Sequence, residues 1–238
     1  MTSPDKSEKA KPSPGQAIKP EHIKRWGPIW SRRVGQFLAH GIWNTRIIGA
    51  ENVPATGRVL ISANHAGAID GPLLHGCIPR GSHFIIKEEA FSGFIGFLMR
   101  NAGQIPVDRG SGRGALTTAL ALLNEDRVVG VFPEGTRGRG DVSSAKAGIA
   151  WLAARSGALV VPAAILGTRL QGQKRGHVPG FRTRLHVVFG EPFQPVPDDA
   201  ASGRAAVTAA AERVQQEMIK HVEAAIALTG VDLPDSAE

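Results

Sequence analysis

Hydrophobic and polar positions along the chain form segments whose periods predict strands and helices in turn. Short runs rich in β-branched residues predict strands, at residues 45–48, 59–63, 83–87, 128–132, 159–165 and 184–189. Between them, apolar residues recur at helical spacing, over about residues 71–78, 89–101, 112–125, 143–156 and, last, 203–228. This alternation predicts an α/β fold, a single domain with a mostly parallel central sheet flanked by helices.

Residues 20–43 precede the first predicted strand and have the pattern of an N-terminal amphipathic helix. Apolar side chains recur at helical spacing, at Ile23, Trp26, Trp30, Val34, Phe37 and Leu38. Lysine and arginine occupy other faces, and Gly27-Pro28 suits the first turn of the main helix. Tryptophan and arginine on one amphipathic helix are typical of a membrane interface. A helix packed against the core is an equally good interpretation.

The two ends of the chain are polar and predict disorder. Residues 1–19 are basic and rich in proline, without the apolar segment of a signal peptide, and residues 229–238 are also polar. The predicted organisation is therefore a basic tail at 1–19, an interface helix region at 20–43, a main domain at 44–228 and a second tail. No run of about 18 uncharged apolar residues is present, so we predict no transmembrane helix.

Composition adds an uneven charge to this picture. The 238 residues carry a net charge of +7. Residues 1–50 have nine Lys or Arg against three Asp or Glu, residues 51–190 have sixteen against nine, and residues 191–238 have three against nine. The basic front and middle suit an anionic lipid surface, a nucleic acid or a phosphorylated small molecule. The single cysteine, Cys77, excludes a disulfide framework, and its apolar surroundings predict a small core residue.

The loop after the second predicted strand contains a candidate general base. In ISANHAGAID, an apolar strand runs into His65, and Asp70 follows five residues later. Histidine suits proton abstraction from a hydroxyl, and a carboxylate on its other nitrogen would fix its tautomer. Taken alone, Asp70 has a second interpretation, because it precedes Gly71-Pro72 and suits the N-cap of the next helix. A metal site of His65, Asp70 and His75 is a weaker alternative.

Another strand end, GQIPVDRG, places Arg109 after an apolar run. Its guanidinium is suited to an anion, although a surface pair with Asp108 is the better interpretation of this segment alone. The apolar run LVVPAAILG contains Pro162 and, by itself, predicts only a core or edge strand.

The strand end FPEGTRGRG, which precedes LVVPAAILG in the chain, has the residues of a phosphate-binding turn. Arg137 offers a planar fork to phosphate oxygens, Gly135 permits a tight turn and Thr136 adds a hydroxyl. Glu134 would repel a phosphate, so we expect it to orient Arg137 or a substrate hydroxyl. Lys146, near the start of the next predicted helix, adds a second cation. The chain has no Walker pattern, no G-x-S-x-G and no cysteine nucleophile motif.

These four segments, in their order along the chain, resemble the motifs of the glycerolipid acyltransferase family, which includes the lysophosphatidic acid acyltransferases. That family has an N-H-x4-D block, a Gly/Arg block, an F-P-E-G-T-R block and a V-P block, which are NHAGAID, GQIPVDRG, FPEGTR and VVPAAI here. The resemblance covers about residues 45–190 and makes the main domain an acyltransferase domain. Its first and third blocks are the specific ones.

The resemblance implies a role for each matched position. His65 matches the general base and Asp70 its charge partner. The positions linked to the acceptor, by the resemblance or by their own chemistry, are Arg109, Glu134, Gly135, Thr136, Arg137, Lys146 and Lys87. The family often has serine two residues after the histidine, where this chain has Gly67. A hydroxyl is therefore missing there, which leaves details of the acceptor open.

The implied reaction moves a fatty acyl chain from acyl-CoA or acyl carrier protein to the hydroxyl of lysophosphatidic acid, forming phosphatidic acid. No cofactor or metal is expected beyond the thioester co-substrate, and backbone amides are expected to stabilise the oxyanion. Because lysolipids reside in bilayers, residues 20–43 and 90–103 are expected to attach the enzyme peripherally to the cytoplasmic face of the membrane.

Three alternatives remain at this point. The same chemistry could act on glycerol phosphate or on another lysolipid, such as a lyso-ornithine lipid. A basic nucleic-acid-binding protein is a different class, but no aromatic stacking platform is interleaved with the basic residues. A lipid-binding module with an inactive site is the third, and the intact His65 and Asp70 argue against it.

Overall fold

The computed structural model describes residues 19–108, 112–133, 147–196 and 203–234. Its strands are β1 (Asn44–Ile48), β2 (Val59–Ala63), β3 (Ser82–Lys87), β4 (Ile105–Val107), β5 (Val128–Val131), β6 (Leu159–Leu166) and β7 (Arg184–Phe189). Its α-helices are α1 (Gly27–Phe37), α2 (Asp70–Cys77), α3 (Gly93–Asn101), α4 (Arg113–Asn124), α5 (Ala147–Ser156) and α6 (Arg204–Thr229). The predicted alternation of strands and helices is confirmed.

The seven described strands form one sheet in the order β1-β7-β6-β2-β5-β3-β4. Strands β6, β2, β5, β3 and β4 are mutually parallel, whereas β7 pairs antiparallel with β6 and parallel with β1. The predicted mostly parallel sheet is therefore confirmed. The strand β4, which the periodicity missed, has only three residues and contains a proline, too short a run to show alternation.

The carboxyl ends of the parallel strands lie at one edge of the sheet. Since β2 is hydrogen-bonded to β5 on one side and to β6 on the other, the segments after Ala63, Val131 and Leu166 leave the sheet side by side. In an open α/β sheet this edge is where ligands bind.

The core occupies both faces of the sheet. In β2, Leu60 belongs to a buried cluster with residues of α4, α5 and α6, and Ile61 belongs to a second cluster with residues of α2. Alternate side chains of a strand point to opposite faces, so a strand buried on both faces needs a continuous apolar run. All five residues of β2 are buried, which accounts for the apolar run Val59–Ile61 with which it begins.

Pro162 lies in β6, between two neighbouring strands. A proline has no N–H to donate, so it is rare in central strands. Val160 N donates to Phe193 O on the β7 side, and Pro162, two residues later, faces the same side. The β6–β7 ladder is interrupted there, because it pairs Ala163 with Phe189 and then Val160 with Phe193. The missing donor therefore falls at a bulge.

The N-terminal helix packs through its small side chains. The buried residues of α1 are Gly27, Pro28, Ser31 and Gly35, whereas the large apolar side chains of Trp26, Ile29, Val34 and Phe37 are exposed. The helix α1 therefore packs on α2, as the second interpretation of residues 20–43 expects, but it does so through small side chains and not through its large apolar ones. A 3-10 turn (Pro20–His22) precedes it and a π-turn (Leu38–Ile42) follows it. No helix of the described residues is long and apolar enough to cross a membrane.

Two further predictions need correction. The helix predicted over 89–101 is divided, because Ser92 is extended between a 3-10 turn (Glu88–Phe91) and α3. The C-terminal tail predicted over 229–238 is not disordered throughout, since Val231 and Leu233 pack against the core after Gly230 ends α6. The rest of that tail, residues 235–238, and the predicted tail up to residue 18 lie outside the described residues.

Candidate active site

The loop after β2 is tied to the neighbouring strand by Asn64, to which the sequence analysis gave no role. Its side-chain Nδ2 donates to Ile165 O at 3.0 Å, and its Oδ1 accepts from Ile165 N at 2.7 Å. The amide thus continues the pairing of β2 with β6 for one further residue. Because Asn64 is fully buried, it fixes the point at which the chain turns towards His65.

His65 and Asp70 form a direct hydrogen-bonded pair. His65 Nδ1 lies 2.9 Å from Asp70 Oδ2, and the two side chains are 18% and 0% exposed. An ionised carboxylate only accepts hydrogen bonds, so the proton of a neutral imidazole stands on Nδ1. The pair therefore has the tautomer that a general base requires.

The prediction that Asp70 caps the following helix is wrong. Asp70 is the first residue of α2, Ile69 is at the N-cap position, and no side chain there makes a capping bond. Asp70 Oδ2 instead accepts from the backbone N–H groups of Ala66 and Gly67, both at 2.8 Å. The carboxylate is turned back towards the preceding loop, where it holds the two backbone N–H groups that directly follow His65.

Phe132, which follows β5, packs against the ring of the histidine. The rings of His65 and Phe132 are stacked, with centroids 4.3 Å apart and planes inclined by 22°. Phe132 also stacks on Phe84 of β3, at 5.7 Å. The first residue of the FPEGTR block therefore contacts the histidine of the NHAGAID block at adjacent strand ends. The stacking restricts rotation of the imidazole.

The predicted acceptor-binding residues are only partly covered by the structure. Lys87 is exposed at the carboxyl end of β3, opposite Val107 of β4. The positions outside the described residues are Arg109, Glu134, Gly135, Thr136, Arg137 and Lys146. The segment leading to Arg109 is described as far as Asp108, whose Oδ1 accepts from Gly112 N at 3.2 Å.

The metal alternative does not fit the described residues. His75 Nδ1 and Nε2 lie 2.8 Å from Ser82 Oγ and Ser31 Oγ, respectively, so neither nitrogen faces Asp70. Burial lowers the pKa of His75 to about 4. The imidazole that bridges the two serines is therefore neutral near pH 7. Over the described ranges, no three His, Cys, Asp or Glu residues are grouped to hold a metal ion.

Cys77 is a core residue, as its surroundings predicted. Its side chain is buried with 3% exposure. Burial raises the pKa of the Cys77 thiol to about 12, so the thiolate that a nucleophile requires is scarce near neutral pH.

Two buried polar residues that the sequence pattern did not predict, Thr168 and Arg169, follow β6. Each is 1% exposed, although a buried guanidinium is rare unless it is paired. The signal in the sequence was a threonine and an arginine directly after the apolar run VVPAAILG. Gly167 adopts a φ of +86°, a conformation that favours glycine, and turns the chain at this point.

Comparison with known proteins agrees with the fold and the motifs. The family model described as Acyltransferase matches residues 44–166. A 1-acyl-sn-glycerol-3-phosphate acyltransferase of Bacillus subtilis (strain 168) is 32% identical over 151 residues, which cover 62% of this chain and 73% of the relative. The protein of that name from Borreliella burgdorferi is 31% identical over 132 residues, or 51% of each chain.

A solved structure shows the same fold. It is the crystal structure of the 1-acyl-sn-glycerophosphate acyltransferase PlsC from Thermotoga maritima, which is similar with a TM-score of 0.61 and 22% identity, over 83% of this chain and 80% of that one. Together with the family model, which covers more than half of the 238 residues, the sequence relatives decide the classification. The chain therefore belongs to the acyltransferase family and is an acyltransferase enzyme.

Proposed function

We propose that the enzyme transfers a fatty acyl group from acyl-CoA or acyl carrier protein to the hydroxyl of lysophosphatidic acid, forming phosphatidic acid. The observation that carries the chemistry is the 2.9 Å contact between His65 Nδ1 and Asp70 Oδ2 at the carboxyl end of β2. The choice of acceptor is supported by the relatives from Bacillus subtilis and Borreliella burgdorferi, which are named 1-acyl-sn-glycerol-3-phosphate acyltransferases.

In the proposed mechanism His65 acts as a general base. Its Nε2 takes the proton from the acceptor hydroxyl while that oxygen attacks the thioester carbonyl carbon. The tetrahedral intermediate then collapses, the carbon–sulfur bond breaks, and the imidazolium returns the proton to the leaving thiolate. Asp70 stabilises the positive ring and keeps it oriented. The transfer needs no covalent enzyme intermediate, in agreement with the buried thiol of Cys77.

The acceptor phosphate is proposed to bind beside the base. The residues proposed for this role are Arg109, Glu134, Gly135, Thr136, Arg137, Lys146 and Lys87. A bound phosphate would hold the acceptor hydroxyl in reach of His65 and so reduce the entropy cost of the reaction. The stacking of Phe132 on His65 supports this role for the FPEGTR segment, because Phe132 is its first residue.

The enzyme is also proposed to attach peripherally to the cytoplasmic face of the membrane. Exposed apolar side chains lie on α1 (Ile29, Val34, Phe37), at its N-cap residue Trp26 and on α3 (Phe94, Ile95, Phe97). The two helices are neighbours, since a β-carbon on Gly27 would lie 2.4 Å from Asn101 O. An exposed apolar surface of this kind is typical of a membrane or protein contact.

The acyl-transfer proposal is tested with purified protein, acyl-CoA and acyl carrier protein donors, and several acceptors. We expect His65→Ala to lower kcat by about a thousandfold, which is the scale of general-base catalysis. The matched control is His22→Ala, which removes an exposed histidine and should keep the wild-type rate. Turnover at an unchanged rate in His65→Ala would overturn the mechanism.

The same assay compares acceptors. Lysophosphatidic acid should be the best acceptor. If transfer to glycerol phosphate or to a lyso-ornithine lipid is faster, that compound is the preferred acceptor and the proposed choice of lysophosphatidic acid is wrong. We expect Arg137→Ala to raise KM chiefly for phosphate-bearing acceptors, because a lost ground-state contact appears in KM. An equal effect on uncharged acceptors would contradict the phosphate role of Arg137.

A further inference from the structure

The loop between β6 and β7, residues 167–183, is basic. Its charged residues are Arg169, Lys174, Arg175 and Arg182. Lys174, Arg175 and Arg182 are exposed. No Asp or Glu occurs between residues 142 and 190, so no carboxylate within the loop offsets this positive charge. An exposed group of like charges attracts an anionic partner.

The same loop exposes large apolar side chains between its basic residues. Leu170, Val178 and Phe181 are 46%, 59% and 75% exposed, and Phe181 is the most exposed large apolar side chain of the described residues. Phe181 directly precedes Arg182. Apolar side chains that enter the acyl boundary and basic side chains that attract anionic headgroups are the two features of an interfacial membrane contact.

Hydrogen bonds join the β6–β7 loop to the turn that follows α1. Trp43 Nε1 donates to Pro179 O at 3.0 Å. Arg182 N donates to Ile42 O at 2.7 Å, and Arg182 Nη1 donates to His40 O at 3.2 Å. Because this π-turn directly follows α1, the loop lies next to the helix whose large apolar side chains are exposed.

The β6–β7 loop also begins beside the proposed base. A β-carbon placed on Gly67 would lie 2.5 Å from Thr168 Oγ1, and Gly67 is two residues after His65. The loop therefore leaves the sheet at the same edge as the catalytic pair. A surface that binds this loop lies close to the active site.

We propose that the β6–β7 loop is a contact site for anionic lipid, in which Phe181 enters the bilayer interface and Lys174 binds anionic headgroups. This inference rests on the proposed peripheral attachment, and it goes further by assigning the preference for anionic lipid to one loop beside the active site. The hydrogen bonds to the π-turn favour a bilayer over an acidic protein, because the loop and α1 together form one surface with exposed apolar groups and positive charge.

A charge series at Lys174 tests the headgroup contact by sedimentation with vesicles of neutral lipid and of mixed neutral and anionic lipid. Each positive charge near an anionic surface strengthens binding about fivefold. We therefore expect Lys174→Gln to weaken partition onto the anionic vesicles about fivefold and Lys174→Glu about 25-fold. Partition onto neutral vesicles should stay within about twofold of wild type for both variants. Thermal denaturation shows that each variant is folded.

The matched control for charge is Lys220→Glu, at an exposed lysine of α6. It changes the net charge of the protein by the same amount as Lys174→Glu and should bind anionic vesicles as wild type does. An equal loss in the two variants would show that only net charge matters and would overturn the role of the loop.

Phe181→Ser tests the apolar contact. We expect it to weaken partition at least about fivefold onto neutral and anionic vesicles alike, because apolar burial does not depend on headgroup charge. Leu228→Ser, at an exposed apolar residue of α6, is the control and should bind as wild type. Unchanged partition of Phe181→Ser would overturn its place in the interface.

The outcomes separate this inference from the proposals on which it rests. If wild-type protein binds neither kind of vesicle, the peripheral attachment itself is wrong. If wild type binds and Lys174→Glu binds equally well, only the role of the loop is wrong. If Lys174→Glu keeps its vesicle binding but slows transfer from acyl carrier protein and not from acyl-CoA, the loop docks an acidic protein and the lipid assignment is overturned. Vesicle binding needs no turnover, so a failure of the acyl-transfer proposal in His65→Ala would leave these results unchanged.

Discussion

At the scale of single residues, the most informative position is Asp70. Its side chain is fully buried, and one of its oxygens, Oδ2, accepts hydrogen bonds from the imidazole and from two backbone N–H groups. Hydrogen bonds to a charged group contribute more than neutral ones, and leaving a buried donor without its acceptor is costly. Asp70 therefore stabilises the loop and orients the proposed base with the same atom.

We expect Asp70→Asn to damage both stability and catalysis. The neutral amide accepts the same hydrogen bonds more weakly, so the free energy of unfolding should fall by about 2 kcal/mol, as measured by urea denaturation. In the acyl-transfer assay kcat should fall by at least about a hundredfold.

The matched control is Asp126→Asn. Asp126 is an exposed residue with a φ of +56°, which asparagine also tolerates, and it makes a 3.7 Å surface pair with Arg58. We expect its substitution to change the free energy of unfolding by less than about 0.5 kcal/mol. Equal losses in the two variants would show that Asp70 has no special structural role.

At the scale of secondary-structure elements, the contact between α1 and α2 decides which side of α1 is buried and which side is exposed. A β-carbon on Gly35 would lie 2.7 Å from Gly76 Cα and 2.8 Å from Pro72 O. The two helices therefore cross with their backbones in close approach, and only glycine fits. This contact leaves the large apolar side chains of α1 on its outer side.

Two glycine substitutions in this helix pair should have effects of opposite sign. Gly35→Ala puts a methyl group against backbone atoms of α2, and we expect it to lower the free energy of unfolding by about 1–3 kcal/mol. Gly71→Ala lies in α2, where a β-carbon would meet nothing within 4 Å. Alanine is the better helix former there, so the free energy of unfolding should rise by about 0.5–1 kcal/mol. Urea denaturation of both variants measures the contrast, and two effects of the same sign would contradict the proposed fit.

His75 connects three elements, because it bridges Ser31 of α1 and Ser82 of β3 from its place in α2. Burial lowers its pKa to about 4, and burial also lowers the pKa of His83 to about 4. Histidine in the unfolded chain has its ordinary pKa of 6.5, so between pH 6.5 and 4 the unfolded state binds more protons than the native state. Stability should therefore be fully present above about pH 6.5 and decline as the pH falls towards 4.

We expect His75→Gln to reduce this pH dependence, because the amide can still hydrogen-bond but does not titrate. The measurement is urea denaturation at several pH values between 4 and 7. His22→Gln, at an exposed position, should leave the slope unchanged. A slope that is unaffected by His75→Gln would exclude His75 as a source of the acid sensitivity.

At the scale of the whole molecule, apolar surface and charge are distributed unequally. The exposed apolar residues of α1 and α3 lie on neighbouring helices, and α1 packs on the α2 side of the sheet. The C-terminal helix α6 packs against the other face, and residues 191–238 carry nine acidic against three basic side chains. This polarity suits an orientation in which the α1 and α3 surface faces an anionic bilayer and α6 faces away from it.

We expect the triple variant Phe37→Ser, Phe94→Ser, Phe97→Ser to lose at least about tenfold in partition onto vesicles of mixed neutral and anionic lipid, because apolar contacts drive interfacial binding. The side chains are 63%, 73% and 57% exposed, so folding should persist. Leu228→Ser, at a 60% exposed apolar residue of α6, is the matched control and should bind as wild type. If the triple variant binds the vesicles as strongly as wild type, α1 and α3 do not form the membrane-binding surface.

Much of the architecture could be predicted from the sequence because strands and helices are local patterns. The strands at 59–63 and 184–189 have the predicted bounds, and the helix predicted at 71–78 is shifted by one residue. The segment GQIPVDRG was interpreted as a strand end, but the bounds of the short β4 could not be predicted, since a three-residue strand shows no period. The break at Ser92 could not be predicted either, because it depends on one extended residue.

The sequence by itself determined the strand-helix alternation, the spacing of His65 and Asp70, and the motifs that mark the family. The tertiary structure alone decided that Asp70 turns back to its loop, that Phe132 stacks on His65 and that Thr168 fills the space beside Gly67. It also decided which side of α1 is buried. The physical reason is that these contacts join residues distant in the chain. They depend on which strands are neighbours in the sheet and on how closely two helices approach, and neither is encoded in local periodicity.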